Sequence, residues 1–355
     1  MKASSETFER EKQHWIETGF VIARIAAEHK GRYSILYNND VVPAEVTGKF
    51  MFDAETRKDY PAVGDFVAVQ MYDDNNMGMI HHILPRKTFI SRKTSGKEIE
   101  EQLIAANIDI AFIVQGLDHN FNLRRLERFL VVVREGGARP IILLSKTDLL
   151  SDQELAEKIS QVKVIAGESP VIAYSAKTLI HIEEIKKIIS PDTTVCFVGS
   201  SGVGKSTLIN RFVGKELLFT QEVREEDSRG RHTTTRRELI MLKNGGYVID
   251  TPGIRELGLW TNSGSIAETF ADIAELAAHC KFTDCTHVHE PNCAVLRAIE
   301  DEKISRERYE SYLKLRREAA YLESKTNITK QMERKAVEKK LSKDIYTILK
   351  LKKKK

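Results

Sequence analysis

At 355 residues the chain has room for two to three domains of about 150 residues each, enough to bury sizeable cores without disulfide staples. Its 41% hydrophobic and 30% charged residues, with 20 Gly and 8 Pro, exclude collagen-like and wholly disordered chains. The net charge of +4 hides a split: residues 301–355 carry 18 Lys and Arg against 9 Asp and Glu, so the body is mildly acidic and the Lys-rich end suits a phosphate backbone.

No run approaches 18 apolar residues, and the charged first fifteen residues lack the apolar core and cleavage site of a secretory signal. A cytoplasmic protein without membrane contact is expected. Four cysteines in such a chain point to metal or core roles rather than disulfides.

Five short β-type runs at residues 20–25, 33–37, 44–46, 66–69 and 79–84, broken by Asn-, Asp- and Pro-rich loops, predict a small closed barrel of the OB type. Over residues 1–100 the chain holds 14 Lys and Arg against 15 Asp and Glu, so charge alone gives weak support for RNA contact. Local basic spots at Arg86-Lys87 and Arg92-Lys93 are either RNA contacts or a solvated linker face.

From residue 108 the texture changes. Continuous apolar runs at 108–114, 140–144, 171–174, 195–198 and 247–249 alternate with helix-like stretches at 123–134, 152–162, 181–189 and 205–212. That alternation predicts a parallel sheet covered on both faces, an α/β domain. Beyond it, helices are expected at 266–278 and 305–322, with a Cys/His cluster between them. The expected division is an OB-fold RNA-binding domain at 1–100, a nucleotide-binding domain at 101–262 and a helical zinc-binding domain at 263–355.

Gly199-Ser200-Ser201-Gly202-Val203-Gly204-Lys205-Ser206, with Thr207 following, fits G-x-x-x-x-G-K-[ST] between a predicted strand and a predicted helix. In such a P-loop backbone N–H groups surround phosphate oxygens, Lys205 reaches the β and γ phosphates, and Ser206 takes a magnesium position. Downstream, Asp250-Thr251-Pro252-Gly253 ends an apolar strand as D-x-x-G, placing Asp250 toward magnesium and the Gly253 N–H toward a γ-phosphate. Between them, Gly230-Arg231-His232-Thr233-Thr234-Thr235 suits a switch that brings a threonine, Thr234 by preference, onto magnesium.

Guanine specificity calls for an N-K-x-D loop, and the matching segment lies upstream of the P-loop: Ser145-Lys146-Thr147-Asp148, followed later by Ser175-Ala176-Lys177. Asp148 would accept from guanine N1 and N2 and reject adenine, Lys146 would pack along the base, and the second loop would back O6. The motifs of a GTPase are thus present in rotated order, which the closeness of domain termini tolerates. Ser145 stands where Asn is usual, which predicts weaker guanine binding. Ile254 follows Gly253 where many GTPases place a water-orienting Gln, which predicts slow intrinsic turnover aided by His232 or by a partner's group. His232 also reads as an ordinary surface histidine.

Cys280, Cys285, His287 and Cys293 supply three thiolates and an imidazole within fourteen residues, a full tetrahedral set expected to hold one structural zinc ion. Buried free thiols are the alternative, and His279 and His289 are rival ligands. Cys196, inside an apolar strand, reads as core.

With its barrel, rotated GTPase motifs and Cys/His cluster, nearly the whole chain resembles the circularly permuted GTPase family that acts on the small ribosomal subunit, the RsgA or YjeQ family. The resemblance implies GTP hydrolysis with magnesium, stimulated by the small subunit, an OB fold on ribosomal RNA, and a role in late subunit maturation. A monomer is expected, because the large target supplies the interface. Since the second switch runs almost directly into the zinc region, with Gly258 and Gly264 as hinges, nucleotide state is expected to reposition that module. The other readings are a P-loop kinase acting on a small molecule and an RNA-binding module with structural nucleotide.

Overall fold

The computed structural model describes residues 4–29, 31–93, 101–214, 237–250 and 263–324. Strands β1 (Val21–His29), β2 (Arg32–Tyr37), β3 (Asp40–Val46), β4 (Phe66–Tyr72) and β5 (Met77–Ile83) run in the order β1-β2-β3-β5-β4, and β4 pairs back onto β1 to close the barrel. Asn38 and Asn39, both at positive φ, make the tight turn between β2 and β3. Alternate side chains fill the interior, where Ile25, Ile35, Val67, Val69 and Ile80 are fully buried.

A helix that the charged N-terminus hides, α1 (Ser5–Glu17), packs on this barrel. Ser4 caps it through Thr7 N, and its apolar contacts are few: Phe8 meets Phe66 edge-on at 5.2 Å and Trp15 stacks on His82 at 5.0 Å. A short second helix, α2 (Gly48–Asp53), follows β3. Arg86 is no free surface cation, because it forks onto both Asp65 oxygens and donates to the Lys58 and Tyr60 carbonyls. The hairpin β6 (Phe89–Lys93) with β7 (Glu101–Ala106) leads out of the barrel.

The second body is a sheet in the order β10-β9-β8-β11-β13-β12, made of β8 (Ile110–Gly116), β9 (Arg139–Ser145), β10 (Val171–Tyr174), β11 (Thr194–Val198), β12 (Arg237–Met241) and β13 (Tyr247–Asp250). All neighbours are parallel except β12, an antiparallel edge strand that the sequence reading did not anticipate. Burial on both faces explains the unbroken apolar runs. Ala111, Ile113, Ile142 and Cys196 face a core under α3 (Leu123–Gly136) and α4 (Asp152–Ala166), whereas Phe112, Ile141 and Phe197 face one under α5 (Ile182–Ile188) and α6 (Lys205–Val213). Burial pushes the Cys196 thiol up, in keeping with its place in the core.

The two bodies are joined edge to edge. The end of β1 pairs antiparallel with β12, Ala27 opposite Glu238 and Glu28 opposite Arg237. Next to this seam the buried Arg24 donates to the Gly64 and Asn107 carbonyls and, at 2.7 Å, to the Thr194 hydroxyl at the start of β11.

The C-terminal region comprises α7 (Ser263–Thr269), α8 (Ala271–Ala277), α9 (Ala294–Glu300) and α10 (306–324). The single helix expected at 266–278 is broken at Phe270, whose backbone leaves helical values (φ −113, ψ 46). Its ring is fully buried under the Arg308 guanidinium at 4.7 Å, a tertiary reward that outweighs helical continuity. Arg308 also forks onto Asp272 and reaches Glu127 of α3 at 2.8 Å, while Arg128 of α3 pairs with Glu318 of α10. Among the described residues no helix is long and apolar enough to cross a membrane.

Candidate nucleotide-binding site and metal centre

The glycine-rich loop leaves the C-terminal end of β11 and turns into α6, the position where open α/β sheets bind ligands. Its glycines are required. Gly199 has φ +149, and a Cβ there would lie 2.4 Å from the Val114 carbonyl, while Gly204 caps α6 in the left-handed region at φ +96. Lys205 folds back over the loop, its Nζ 2.7 Å from the Gly199 carbonyl and 2.5 Å from that of Ser200. Ser201 and Gly202 are exposed at the loop mouth, Val203 is buried beneath it, and Ser206 and Thr207 open the helix half-buried.

Parallel strands bring the upstream loops alongside, because β8 lies between β9 and β11 and all three point the same way. At the end of β9 the Ser145 hydroxyl, 2% exposed, donates to the Val203 carbonyl at 2.6 Å. It therefore joins the base loop to the P-loop, a bridge that its short side chain achieves by burial. Lys146 stands at φ +67 and its ammonium is 2.6 Å from Asp118, in the loop after β8. Burial raises the Asp118 pKa, but hydrogen bonds from Lys146 and the Asn120 N–H outweigh it and leave that carboxyl below its usual range.

Thr147 is buried and opens a short turn in which Asp148 is exposed. Ser175 donates its hydroxyl to Asp148 Oδ1 at 2.6 Å and accepts from the Lys177 and Thr178 N–H groups, which locks the loop holding Ala176 and Lys177 against the aspartate. Asp148 thus presents a fixed carboxylate to solvent, in the loop that begins at the Ser145 bound to Val203. Asp250 ends β13, next to β11. The expectations for His232, Thr233, Thr234, Gly253, Ile254 and Gly258 fall outside the described residues.

Two residues that the motif reading missed also face this site. Asp118 holds Lys146, and Arg125 of α3 donates to the Ser200 hydroxyl at 2.6 Å. The signal that could have found them is topological: both follow β8, so the loop after a central parallel strand had to open onto the same crevice.

In the C-terminal region the ligand atoms of Cys280, Cys285, His287 and Cys293 all lie within 4.8 Å of one another. Cys280 Sγ is 3.8 Å from Cys293 Sγ and 3.5 Å from His287 Nδ1, which is 3.4 Å from Cys293 Sγ. Tetrahedral zinc bonds of about 2.3 Å to sulfur and about 2.0 Å to nitrogen require edges of about 3.8 and about 3.5 Å, which the Cys280, His287 and Cys293 atoms match; with Cys285 inside the same 4.8 Å group the four could hold one zinc ion. His279 and His289 are exposed and stand outside the group.

The ligand loop is also held by hydrogen bonds of its own. Glu290 accepts from the Thr286 hydroxyl and from the Thr286, Val288 and His289 N–H groups. Those bonds, the Thr286 hydroxyl first, hold its carboxyl well below the usual range. Tyr309 of α10 donates to the His287 carbonyl at 2.6 Å and fastens the loop to the helix behind it.

A family model described as RsgA GTPase matches residues 83–260. The chain is 46% identical over 323 residues to "Small ribosomal subunit biogenesis GTPase RsgA 1" of Oceanobacillus iheyensis, covering 91% of this chain and 92% of that one. It is 43% identical over 318 residues to the RsgA of Opitutus terrae, covering 87% and 86% of the two chains. Among solved structures, YjeQ from Thermotoga maritima superposes with a TM-score of 0.63 at 26% identity, covering 85% of this chain and 99% of that one. YloQ, described as a circularly permuted GTPase, gives a TM-score of 0.59 at 26% identity, over 85% of this chain and 95% of its own. Shared sequence over almost the full length, a shared fold and base loops that precede the P-loop in the chain together place this protein in the RsgA GTPase family.

Proposed function

We propose that this protein hydrolyses GTP to GDP and phosphate in the biogenesis of the small ribosomal subunit, with the subunit stimulating turnover. The observation that carries the reading is the Asp148 carboxylate, held by Ser175 at 2.6 Å in a base loop that Ser145 ties to the P-loop. A carboxylate so fixed would accept two hydrogen bonds from guanine and would meet only an acceptor on adenine, which supports a preference for guanine over adenine. The names of the relatives supply the ribosomal assignment. A small-molecule kinase finds no support among them.

In this reading Gly199 through Thr207 cradle the phosphates and Lys205 leaves the carbonyls of its own loop for the β and γ oxygens. Lys146 covers one face of the base, and Ala176 and Lys177 back its carbonyl edge. Ser206, Thr234 and Asp250 would hold the magnesium that arrives with GTP, which supplies charge neutralisation at the phosphates. The Gly253 N–H receives the γ-phosphate, and His232 or a group from the ribosome orients the attacking water. Cys280, Cys285, His287 and Cys293 would hold a zinc ion, and four protein ligands suit a structural part rather than a catalytic one.

The proposed division places an RNA-contacting OB barrel at 1–100, the GTPase at 101–262 and the zinc region with its basic tail at 263–355. The protein would act as a cytoplasmic monomer on ribosomal RNA. The test is phosphate release from GTP and from ATP, with and without purified small subunits, for the wild type and Lys205→Ala. Stimulation specific to GTP and lost in the variant is expected; turnover that prefers ATP or ignores the subunit would refute the proposal.

A further inference from the structure

Helix α3 carries three arginines near its start, and they are treated differently. Arg124 is 2.6 Å from Glu127, and Arg128 forks onto Glu318 at 2.9 and 2.5 Å. Among the described residues Arg125 has no carboxylate partner. Among those residues its guanidinium makes one hydrogen bond, to the neutral hydroxyl of Ser200 at 2.6 Å, so no described anion offsets its charge and most of its five N–H donors are uncommitted there. Ser200 is the residue whose carbonyl takes the Lys205 ammonium at 2.5 Å. Two cations therefore converge on one residue of the phosphate loop.

The helix that delivers Arg125 is fixed along its length. Glu127 is bound by Arg308, Arg128 by Glu318, and Gly136 at the far end lies so close to the hairpin that a Cβ would sit 1.7 Å from the Phe89 carbonyl. At the start, Asn122 caps the helix by accepting from the Arg125 N–H at 2.9 Å. A cation carried on an element so constrained is placed in advance, which makes its field useful to a charged ligand without reorganisation.

Resting on the guanine-nucleotide reading above, we propose that Arg125 is a positioning residue of the phosphate site. It holds the first turn of the P-loop through Ser200, and its unneutralised charge favours nucleotides with more phosphate. An arginine paired to a carboxylate, as its neighbours are, would supply no such net field. Ser200 provides the separation of the two parts, because removing its hydroxyl frees the loop while leaving the charge in place.

The experiment measures affinities of the full chain for GDP and for a non-hydrolysable GTP analogue in the wild type, Arg125→Ala, Arg125→Lys, Ser200→Ala and the double alanine variant. Arg125→Ala should weaken the triphosphate by about tenfold and the diphosphate by roughly threefold, the shared part from the loosened loop and the difference from the lost field on the more highly charged ligand. Ser200→Ala should weaken both alike, and Arg125→Lys should recover the preference for triphosphate without the full affinity. The double variant should be no worse than Arg125→Ala, since the two residues share one contact. Equal loss of both nucleotides in Arg125→Ala, unchanged affinities, or additive losses in the double variant would overturn the proposal while leaving the GTPase reading intact. A wild type that binds neither nucleotide would refute that reading, and this inference with it.

Discussion

The Ser145 hydroxyl at the end of β9 donates to the Val203 carbonyl of the P-loop across 2.6 Å, joining positions 58 residues apart. The residue that departs from the usual N-K-x-D pattern thus ties the base loop to the phosphate loop. Ser145→Ala would remove the donor at a site only 2% exposed and leave the carbonyl without it. A buried hydrogen bond of this kind is worth about 1 kcal/mol, so guanine nucleotide affinity should fall roughly fivefold. Titration calorimetry with GDP would read it, and unchanged affinity would mean that the bridge is ornamental to binding.

Removal of the metal should act locally. Wild-type protein is expected to carry one zinc ion by elemental analysis, and Cys285→Ser none or a fraction. Because the ligand loop is also held by Glu290 and by Tyr309 on His287, metal loss should raise amide exchange most across residues 279–293 and spare the barrel. Full metal occupancy in Cys285→Ser would remove that residue from the ligand set.

Arg24 is the test of how the barrel and the sheet are held together. Its guanidinium donates to Gly64, Asn107 and Thr194 and lies about equally over the Phe66 and Tyr247 rings, at 4.9 and 5.0 Å. Burial pushes its pKa down to about 10, which still leaves it charged at neutral pH. Arg24→Ala should cost about 3 kcal/mol in denaturant unfolding, because buried acceptors lose their donor. Lysine should recover less than half of this, since one ammonium cannot span three acceptors on different segments.

Glu127 gives a pH dependence of known sign. Burial raises its pKa above the ordinary value, and the bonds and charges of Ser311, Arg124 and Arg308 recover only part of the cost. A carboxyl with a raised folded-state pKa contributes stability that is present below the unfolded value and lost as pH rises through the folded one. Stability of the wild type relative to Glu127→Gln should therefore decline from about pH 4.5 upward until the folded-state value is passed. Denaturant midpoints of the two proteins at pH 4.5, 5.5 and 7 would measure it, and a difference that grew with pH would contradict the burial argument.

Much of this site was legible before any fold was known. The glycine-rich loop, the Asp148 and Ser175 segments and the Cys/His group are readable from spacing, because each is a short segment, and the fold brings Asp148 to Ser175 and gathers the four Cys/His side chains. The five barrel strands and the parallel core strands were legible for the same reason, their apolar periods being two-sided or continuous. What escaped the sequence reading was nonlocal. Helix α1 is mostly polar and is held by Phe8 and Trp15 against Phe66 of β4 and His82 of β5, which are distant in the chain. Strand β12 exists as an edge between β13 and β1, so its pairing partners define it more than its residues do.

The sequence by itself determined the chemistry available: a glycine-rich loop ending in Lys-Ser, an aspartate in an S-K-x-D loop and a set of three thiols and an imidazole, each encoded within a few residues. Only the tertiary structure decided which cations are neutralised and which are not. Arg86, which read either as an RNA contact or as part of a solvated linker face, is consumed inside the barrel by Asp65, whereas Arg125, which carried no motif, faces the phosphate loop without a carboxylate among the described residues. Charge is written in the sequence, but pairing depends on separations of 21 and 75 residues being closed by the fold, and side-chain electrostatics follow distance in space.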